Sequence, residues 1–347
     1  MNKKTTAHLQ LNRRRLLSLA AGTLAAIPVR AAFAQQAAWK PSRPINLIVP
    51  WAAGGATDQV TRVAASELEK ALGQTIVIIN QPGASGAIGT QSALNATRDG
   101  YTWTAGAVSD LGSYESLGSV HTRISDWHLY LSVANVSVLS VGASSPYRTA
   151  KDLVAAMAKQ PNHVTIATAG VTSSGHTAAD LMAKAAKVTY RNVTYDGGNP
   201  AVIATVSGET DATTQLASEE AEMIRGKMLR PLCTISDKSV ELDGYGSIPP
   251  LSDTLPGFAA PDGYYGIFIP PGVPDDVVQT MDRIWSTTIA NSQALRSFAT
   301  GRGALFAPSI GQQAQKLAFP AVQANAWMLY HNGEAKVSPD SVGIPAL

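Results

Sequence analysis

The segment from Pro44 to Gly100 leaves few folds open, because it reads as strand, glycine-rich turn, helix, strand, glycine-rich turn, helix. Pro44 to Pro50 (PINLIVP) is a short apolar run and Trp51 to Ala56 (WAAGGA) is a turn. A helical pattern then runs from Thr57 to Leu72, with Val60, Val63, Ala64, Leu68 and Ala71 on one face. Thr75 to Gln81 (TIVIINQ) is a second buried strand, followed by Pro82 to Gly89 (PGASGAIG) and another helix. A strand that feeds a helix through glycines leaves unsatisfied backbone N–H groups at the helix start. Such an end holds an anion without a side-chain charge. Neither turn carries Lys or Arg.

The first 34 residues read separately. Lys3, Lys4, Arg13, Arg14 and Arg15 precede an apolar stretch from Leu16 to Ile27, and Ala32-Phe33-Ala34 suits signal-peptidase cleavage. The stretch is too short to span a bilayer, so 1–34 is expected to be an export signal. Arg13-Arg14-Arg15-Leu16-Leu17 suits twin-arginine export, with general secretion open as the alternative. No cysteine follows it to take a lipid anchor. All the charges in this segment are basic, so beyond it the chain has 21 Lys+Arg against 25 Asp+Glu. That leaves no basic balance to support nucleic-acid binding. The single cysteine, Cys233, lies in an apolar strand pattern (LRPLCTI) with no base-bearing motif beside it, which argues for a buried thiol over a nucleophile.

At 347 residues the chain is long enough for two domains. Strand and helix alternate again from His163 to Ser236, and the Glu219–Lys227 stretch reads as a charged helix. Residues 109–128 are polar and carry no clear pattern, and 243–262 is a Gly/Pro-rich loop. Tyr264 to Pro270 is a strand, followed by two or three helices, the last containing Trp327. The alternation predicts an α/β protein with largely parallel sheets. The β-patterned runs at 129–141, one long strand or two, and at 264–270 bracket about 120 residues. They are expected to be hinge crossings, giving a first domain from 40–140 and 264–347 and a second from 141–263. A hinged cleft faced by helix N-termini from both sides is a ligand trap.

The motifs give this pattern a family. Ile48-Val49-Pro50-Trp51, Gly54-Gly55-Ala56-Thr57-Asp58, Asn80-Gln81-Pro82-Gly83-Ala84-Ser85-Gly86, Asp99-Gly100-Tyr101-Thr102, Gly175-His176, Tyr195-Asp196-Gly197-Gly198-Asn199-Pro200-Ala201 and Gly226-Lys227-Met228-Leu229-Arg230 together resemble the solute-binding receptors of tripartite tricarboxylate transporters, the Bug-type receptors. The resemblance covers about 41–331. Ala52-Ala53 departs from it where prolines are common, Asp196 where lysine is usual, and 110–118 lacks the Asn-Pro-x-x-Tyr of the family. The resemblance implies a two-domain periplasmic-binding-protein-like α/β fold with a hinged interdomain cleft. It also implies a small mono- or dicarboxylate ligand, delivery to the permease subunits of such a transporter, a monomer in the periplasm, no cofactor and no metal.

Candidate ligand-binding residues follow from the loops. One wall offers Trp51, Gly55, Ala56, Thr57 and Asp58, with Ala84, Ser85 and Gly86. The other offers Thr172, Ser173, Ser174 and His176, with Tyr195, Asp196 and Gly197; Asp110 is expected near the opening. Asp58 either complements the helix dipole or, as the resemblance implies, orders its loop or holds a bridging water. His176 is either a cleft donor or a satisfied helix-start histidine. The 83–89 loop lacks the Gly-Lys-Ser/Thr of a phosphate loop and the spacing of a dinucleotide site. Ser174 and His176 invite a second reading, an exported hydrolase of a small carboxylate ester or amide. There is no G-x-S-x-G elbow, no metal-binding spacing among the six histidines, and no catalytic residue is assigned.

Overall fold

The computed structural model describes residues 38–346, so the expected export signal at 1–34 lies outside the described residues. The elements in order are β1 (Ile45–Val49), α1 (Ala56–Leu72), β2 (Ile76–Asn80), α2 (Ala87–Asn95), β3 (Thr102–Ala107), α3 (Val108–Leu117), β4 (His128–Asn135) and β5 (Val138–Gly142). Next come α4 (Ala150–Lys159), β6 (Thr165–Thr168), α5 (Ser174–Ala186), β7 (Arg191–Thr194), α6 (Gly198–Ser207), β8 (Ala212–Thr213), α7 (Ala217–Arg225) and β9 (Leu229–Thr234). The chain closes with β10 (Val240–Leu242), β11 (Gly246–Ile248), β12 (Gly263–Ile269), α8 (Asp275–Thr287), α9 (Gln293–Gly301), β13 (Leu305–Ile310) and α10 (Gly311–His331).

Two sheets carry the architecture: a six-stranded one in the order β13-β4-β12-β3-β1-β2 and a five-stranded one in the order β7-β6-β8-β5-β9. The run at 129–141 is therefore two strands, β4 in one sheet and β5 in the other, with Val136-Ser137 between them. The chain returns between β9 and β12. Both sheets are mixed rather than largely parallel: β1 pairs parallel with β2 and β3, but β12 lies antiparallel between β3 and β4. In the second sheet β5 runs antiparallel to β8 and β9. The strands that carry the chain between the sheets run against the βαβ units they join.

Side-chain alternation decides the layers. Ile45, Leu47 and Val49 of β1 face α1, α8 and α9, while Ile48 faces α2, α3 and α10 on the other side. A fully buried Leu contributes about 1.5–3 kcal/mol, and Leu47, Leu129 and Leu131 are all in that state. Leu139 and Ile166 face α4 and α5 in the second sheet; Val138 faces α6 and α7. Cys233 on β9 is 2% exposed, and burial pushes its thiol up to about 12, in keeping with a structural role.

Four elements, α3, β10, β11 and β13, lie where no strand or helix is expected from sequence. Residues 108–117 form α3, and its residues from Val108 to Tyr114 are buried, so no amphipathic pattern marks it. β10 and β11 form a hairpin at the start of the Gly/Pro-rich stretch. β13 is an edge strand whose Pro308 falls in a register shift between Phe306 and Ser309, where a missing N–H costs no ladder bond.

Candidate functional site

The turn after β1 is held by Asp58. Its carboxylate accepts from the Gly54 nitrogen at 2.9 Å, from Asn80 Nδ2 at 3.0 Å, and from Arg62 Nε and Nη2 at 2.9 and 2.8 Å. Burial raises its pKa, but these donors outweigh burial and hold the carboxyl below its usual range. These contacts order the loop, and Asp58 at the same time places an acid in the first turn of α1. The turn after β2 is built differently: Gly83 and Gly86 have φ of 124° and 87°, and Ala84 and Ser85 also take positive φ, 48° and 52°. The Ser85 carbonyl is fixed by the Tyr114 hydroxyl at 3.1 Å and by Thr172 Oγ1 at 3.0 Å.

Between the sheets lie two cavities that share Trp51 and Ala169. The inner one, about 20 Å³, is lined by Trp51, Gly55, Ala56, Thr57, Asp110, Ser173, Ser174, Gly175, Gly198, Gln215, Leu216, Glu219 and Tyr265, with Ala169. The outer one, about 470 Å³, is lined by Trp51, Gly83, Ser85, Gly170, Val171, Thr194, Tyr195, Asp196 and Pro200, again with Ala169. The starts of α1, α5, α6 and α7 all reach the inner cavity, through Gly55-Ala56, Ser174-Gly175, Gly198 and Leu216. Each helix start carries roughly half a positive charge.

Glu219 occupies the point where these starts meet. It accepts from the Ala56 nitrogen at 2.8 Å through Oε1 and from the Leu216 nitrogen at 3.2 Å through Oε2. With the Gln215 amide oriented to satisfy both its partners, Nε2 donates to Glu219 Oε2 at 3.0 Å and Oε1 accepts from the Ala169 nitrogen at 3.1 Å. A Cβ at Gly198 would overlap the Glu219 carboxylate where it now lies, so the glycine leaves room for that carboxylate. Burial raises the Glu219 pKa, against the lowering effect of the two N–H donors. Burial also pushes Asp110 well above the carboxylate range; Ser109 and Trp51 lower it and Glu219 raises it. The next residue, Glu220, is fully buried and hydrogen-bonded to the Ser140 hydroxyl, and burial raises it strongly.

Of the expected residues, Trp51, Gly55, Ala56, Thr57, Asp110, Ser173 and Ser174 come together around the inner cavity, and Ser85, Tyr195 and Asp196 join Trp51 around the outer one. Asp58, Ala84, Gly86, Thr172, His176 and Gly197 line neither. Gly86 faces the Tyr114 hydroxyl and the Trp51 ring, and Gly197 packs on Ala52. His176 points the other way. Its Nδ1 lies 2.9 Å from Asn192 Nδ2, and its Nε2 lies 3.3 Å from Asp180 and 3.7 Å from Glu334. Ser174 Oγ instead meets the Tyr265 hydroxyl at 2.8 Å, so no Ser174–His176 pair exists to support a hydrolase. Among the described residues no group of His, Cys, Asp and Glu could hold a metal.

Sequence reasoning misses Glu219, Gln215 and Tyr265. Glu219 sits in a stretch, SEEAE, that reads as a solvated helix face, yet its first two acids turn inward at the start of α7. Gly198 lies in the 195–199 turn that the sequence assigns to the second wall, and it lines the inner cavity.

Two sheets with a polar cavity between them, ringed by helix starts, have the fold of the periplasmic-binding-protein type. The chain belongs to the tripartite tricarboxylate transporter receptor family, whose pattern its residues 60–333 match. A protein from the tcbD–tcbE intergenic region of Pseudomonas sp. (strain P51) is 31% identical over 287 residues, 81% of this chain and 83% of that one. The periplasmic binding protein BugD has the same fold, with a TM-score of 0.77, 22% identity, and coverage of 85% of this chain and 99% of that one. Rpa4515 of R. palustris, solved with adipate, gives 0.75, 23%, 85% and 99%.

Proposed function

We propose that this chain captures a small carboxylate in the periplasm and passes it to the permease subunits of a tripartite tricarboxylate-type transporter, without chemical turnover. One observation carries the reading. The starts of four helices drawn from both sheets converge on the inner cavity, a field that draws in negative charge. Family membership and the adipate held by Rpa4515 support the same reading. Residues 1–34 serve as the export signal, and among the described residues no helix is long and apolar enough to cross a membrane. The ligand enters through the outer cavity, between the Gly83–Ser85 and Gly170–Val171 segments. The two passages of the chain between the sheets act as the hinge, dividing it near 140 and 263.

A calorimetric and thermal-shift screen of mono- and dicarboxylates tests this. Saturable binding of an intact acid is the expected result. Binding confined to neutral sugars, or hydrolysis of an ester by the pure protein, overturns it.

A further inference from the structure

Two helices from different sheets meet beside the inner cavity. α10 packs on the six-stranded sheet, through Ala318 and Val322, and α5 on the five-stranded one, through Ala179 and Met182. Three contacts join them, just beyond the cavity-lining residues Ser173, Ser174 and Gly175. The first is at Asn325 of α10, which is fully buried. Its Oδ1 accepts from the Thr177 hydroxyl of α5. Its Nδ2 faces the Ser109 carbonyl at 3.3 Å, Ser113 Oγ at 2.9 Å and the Thr172 carbonyl at 3.3 Å. One amide therefore ties α10 to the helix that carries Asp110 and to the segment that carries Ser173 and Ser174. The second contact is Asn332, just past α10, donating to Asp180 Oδ2 of α5.

The third contact, His176 with Glu334, differs in kind. The ring is 4% exposed, and its Nε2 lies 3.3 Å from Asp180 Oδ2 and 3.7 Å from Glu334 Oε1, yet it is aligned for a hydrogen bond with neither. Its pull on Glu334 is one of charge, strong while the ring is protonated and weak when it is neutral. Nδ1 faces Asn192 Nδ2 at 2.9 Å, and Asn192 Oδ1 accepts from the Thr168 hydroxyl. A hydroxyl both donates and accepts, so this amide can turn over and present its oxygen to a protonated Nδ1. The Tyr190 hydroxyl donates to Asp180 Oδ1. Burial lowers the His176 pKa, but Glu334 and Asp180 outweigh burial and hold it above the ordinary 6.5. Once the ring is neutral, Asp180 and Glu334 remain as two like charges about one nitrogen, one on each side of the joint.

The opposite flank is joined without a histidine. There Arg302 meets Glu222 at 3.2 Å and Arg225 donates to the Gly301 carbonyl, linking α7 to the end of α9. The two flanks therefore respond differently to pH.

We infer, resting on the hinge reading above, that the α5–α10 joint is a pH-sensitive clasp on the closed arrangement. Charged His176 draws Glu334 in and neutral His176 lets it go, while Asn325 and Asn332 supply the part of the hold that does not titrate. Raising the pH thus loosens the flank of the cleft that carries Asp110, Ser173 and Ser174.

Small-angle scattering of the ligand-free protein from about pH 6 to 9 tests this, with the His176 titration followed by NMR. The radius of gyration should rise with pH, in a step whose midpoint matches the His176 titration and lies above 6.5. His176→Gln and Glu334→Gln should each abolish the step. Thr177→Val should enlarge the radius at every pH and keep the step. A radius insensitive to pH, with Thr177→Val still enlarging it, overturns the clasp and leaves the hinge standing. A step that survives in either the His176 or the Glu334 variant overturns it too, because another group then titrates. If neither pH nor any variant moves the radius, the hinge reading fails and the clasp with it. Melting curves show which variants fold, and Glu334→Gln, at an exposed turn, decides alone if His176→Gln does not.

Discussion

Thr172 Oγ1 donates to the backbone carbonyl of Ser85 at 3.0 Å, tying together two loops that lie 87 residues apart and belong to different sheets. The two loops also approach closely beside that bond, since a Cβ at Gly170 would come within 2.7 Å of Ser85 Oγ. The hydrogen bond thus fixes how closely the two loops approach over Trp51.

Replacing Thr172 by Val keeps the shape and removes the bond, a loss of about 1 kcal/mol. If the sheets move about their two connecting passages, that loss favours the separated arrangement. Small-angle scattering should then give Thr172→Val a larger radius of gyration than the unaltered protein, both without ligand. Equal radii would mean that this contact does not hold the loops together.

Gly86→Val should act on stability before it acts on binding. A Cβ there would lie 2.5 Å from the Tyr114 hydroxyl and 3.3 Å from the Trp51 ring, at a φ of +87° that a branched residue avoids. Destabilisation on the order of 2 kcal/mol or more is expected in chemical denaturation. An unchanged midpoint would show that the loop can relax around the new side chain.

Asp58→Asn tests the ordering of the first loop. The carboxyl is held below its ordinary value, so its contribution to stability is full above the unfolded pKa and fades as pH falls through the folded one. The substitution should cost about 1–3 kcal/mol near neutrality and flatten the acid side of the pH–stability curve below roughly pH 4. A variant whose curve parallels that of the parent would remove Asp58 from that account.

His176 has the opposite sign. Burial lowers its pKa, but Glu334 and Asp180 outweigh burial and leave it above the ordinary value. Its stabilising effect is complete below the unfolded pKa, about 6.5, and is lost as pH rises through the higher folded value. Melting temperature measured from pH 5 to 9 should fall more steeply in the parent than in His176→Gln, and the order of ligand preference should not change. Superimposable profiles, or an altered ligand order, would contradict this placement.

The two glycine-rich turns were legible in sequence because their chemistry is local: glycines, prolines and caps specify a turn without reference to distant residues. The inward turn of Glu219 is not local. Glu219, Glu220 and Glu222 read as one charged face, and what draws the first two inward is the start of α1 and the Ser140 hydroxyl, 163 and 80 residues away. His176 shows the converse limit. Its place at the start of α5 was readable from Ser173, whose hydroxyl caps the helix at the His176 nitrogen, but not the direction of its ring. α3 went unread for a third reason, that a helix buried on every side has no polar face to give the periodicity away.

The absence of a side chain at Gly198 has a consequence for altering this receptor. The Glu219 carboxylate fills the volume that any other residue at 198 would need, and the neighbouring Gly55 also approaches it, with a Cβ there 3.2 Å from Oε1. Positions 198 and 219 therefore form a single unit of substitution. A larger residue at 198 requires a shorter one at 219 in the same step, and shortening 219 alone uncovers the start of α1. Redesign of what the pocket accepts must move through paired changes, and scanning single positions will record both residues as intolerant when only their combination is constrained.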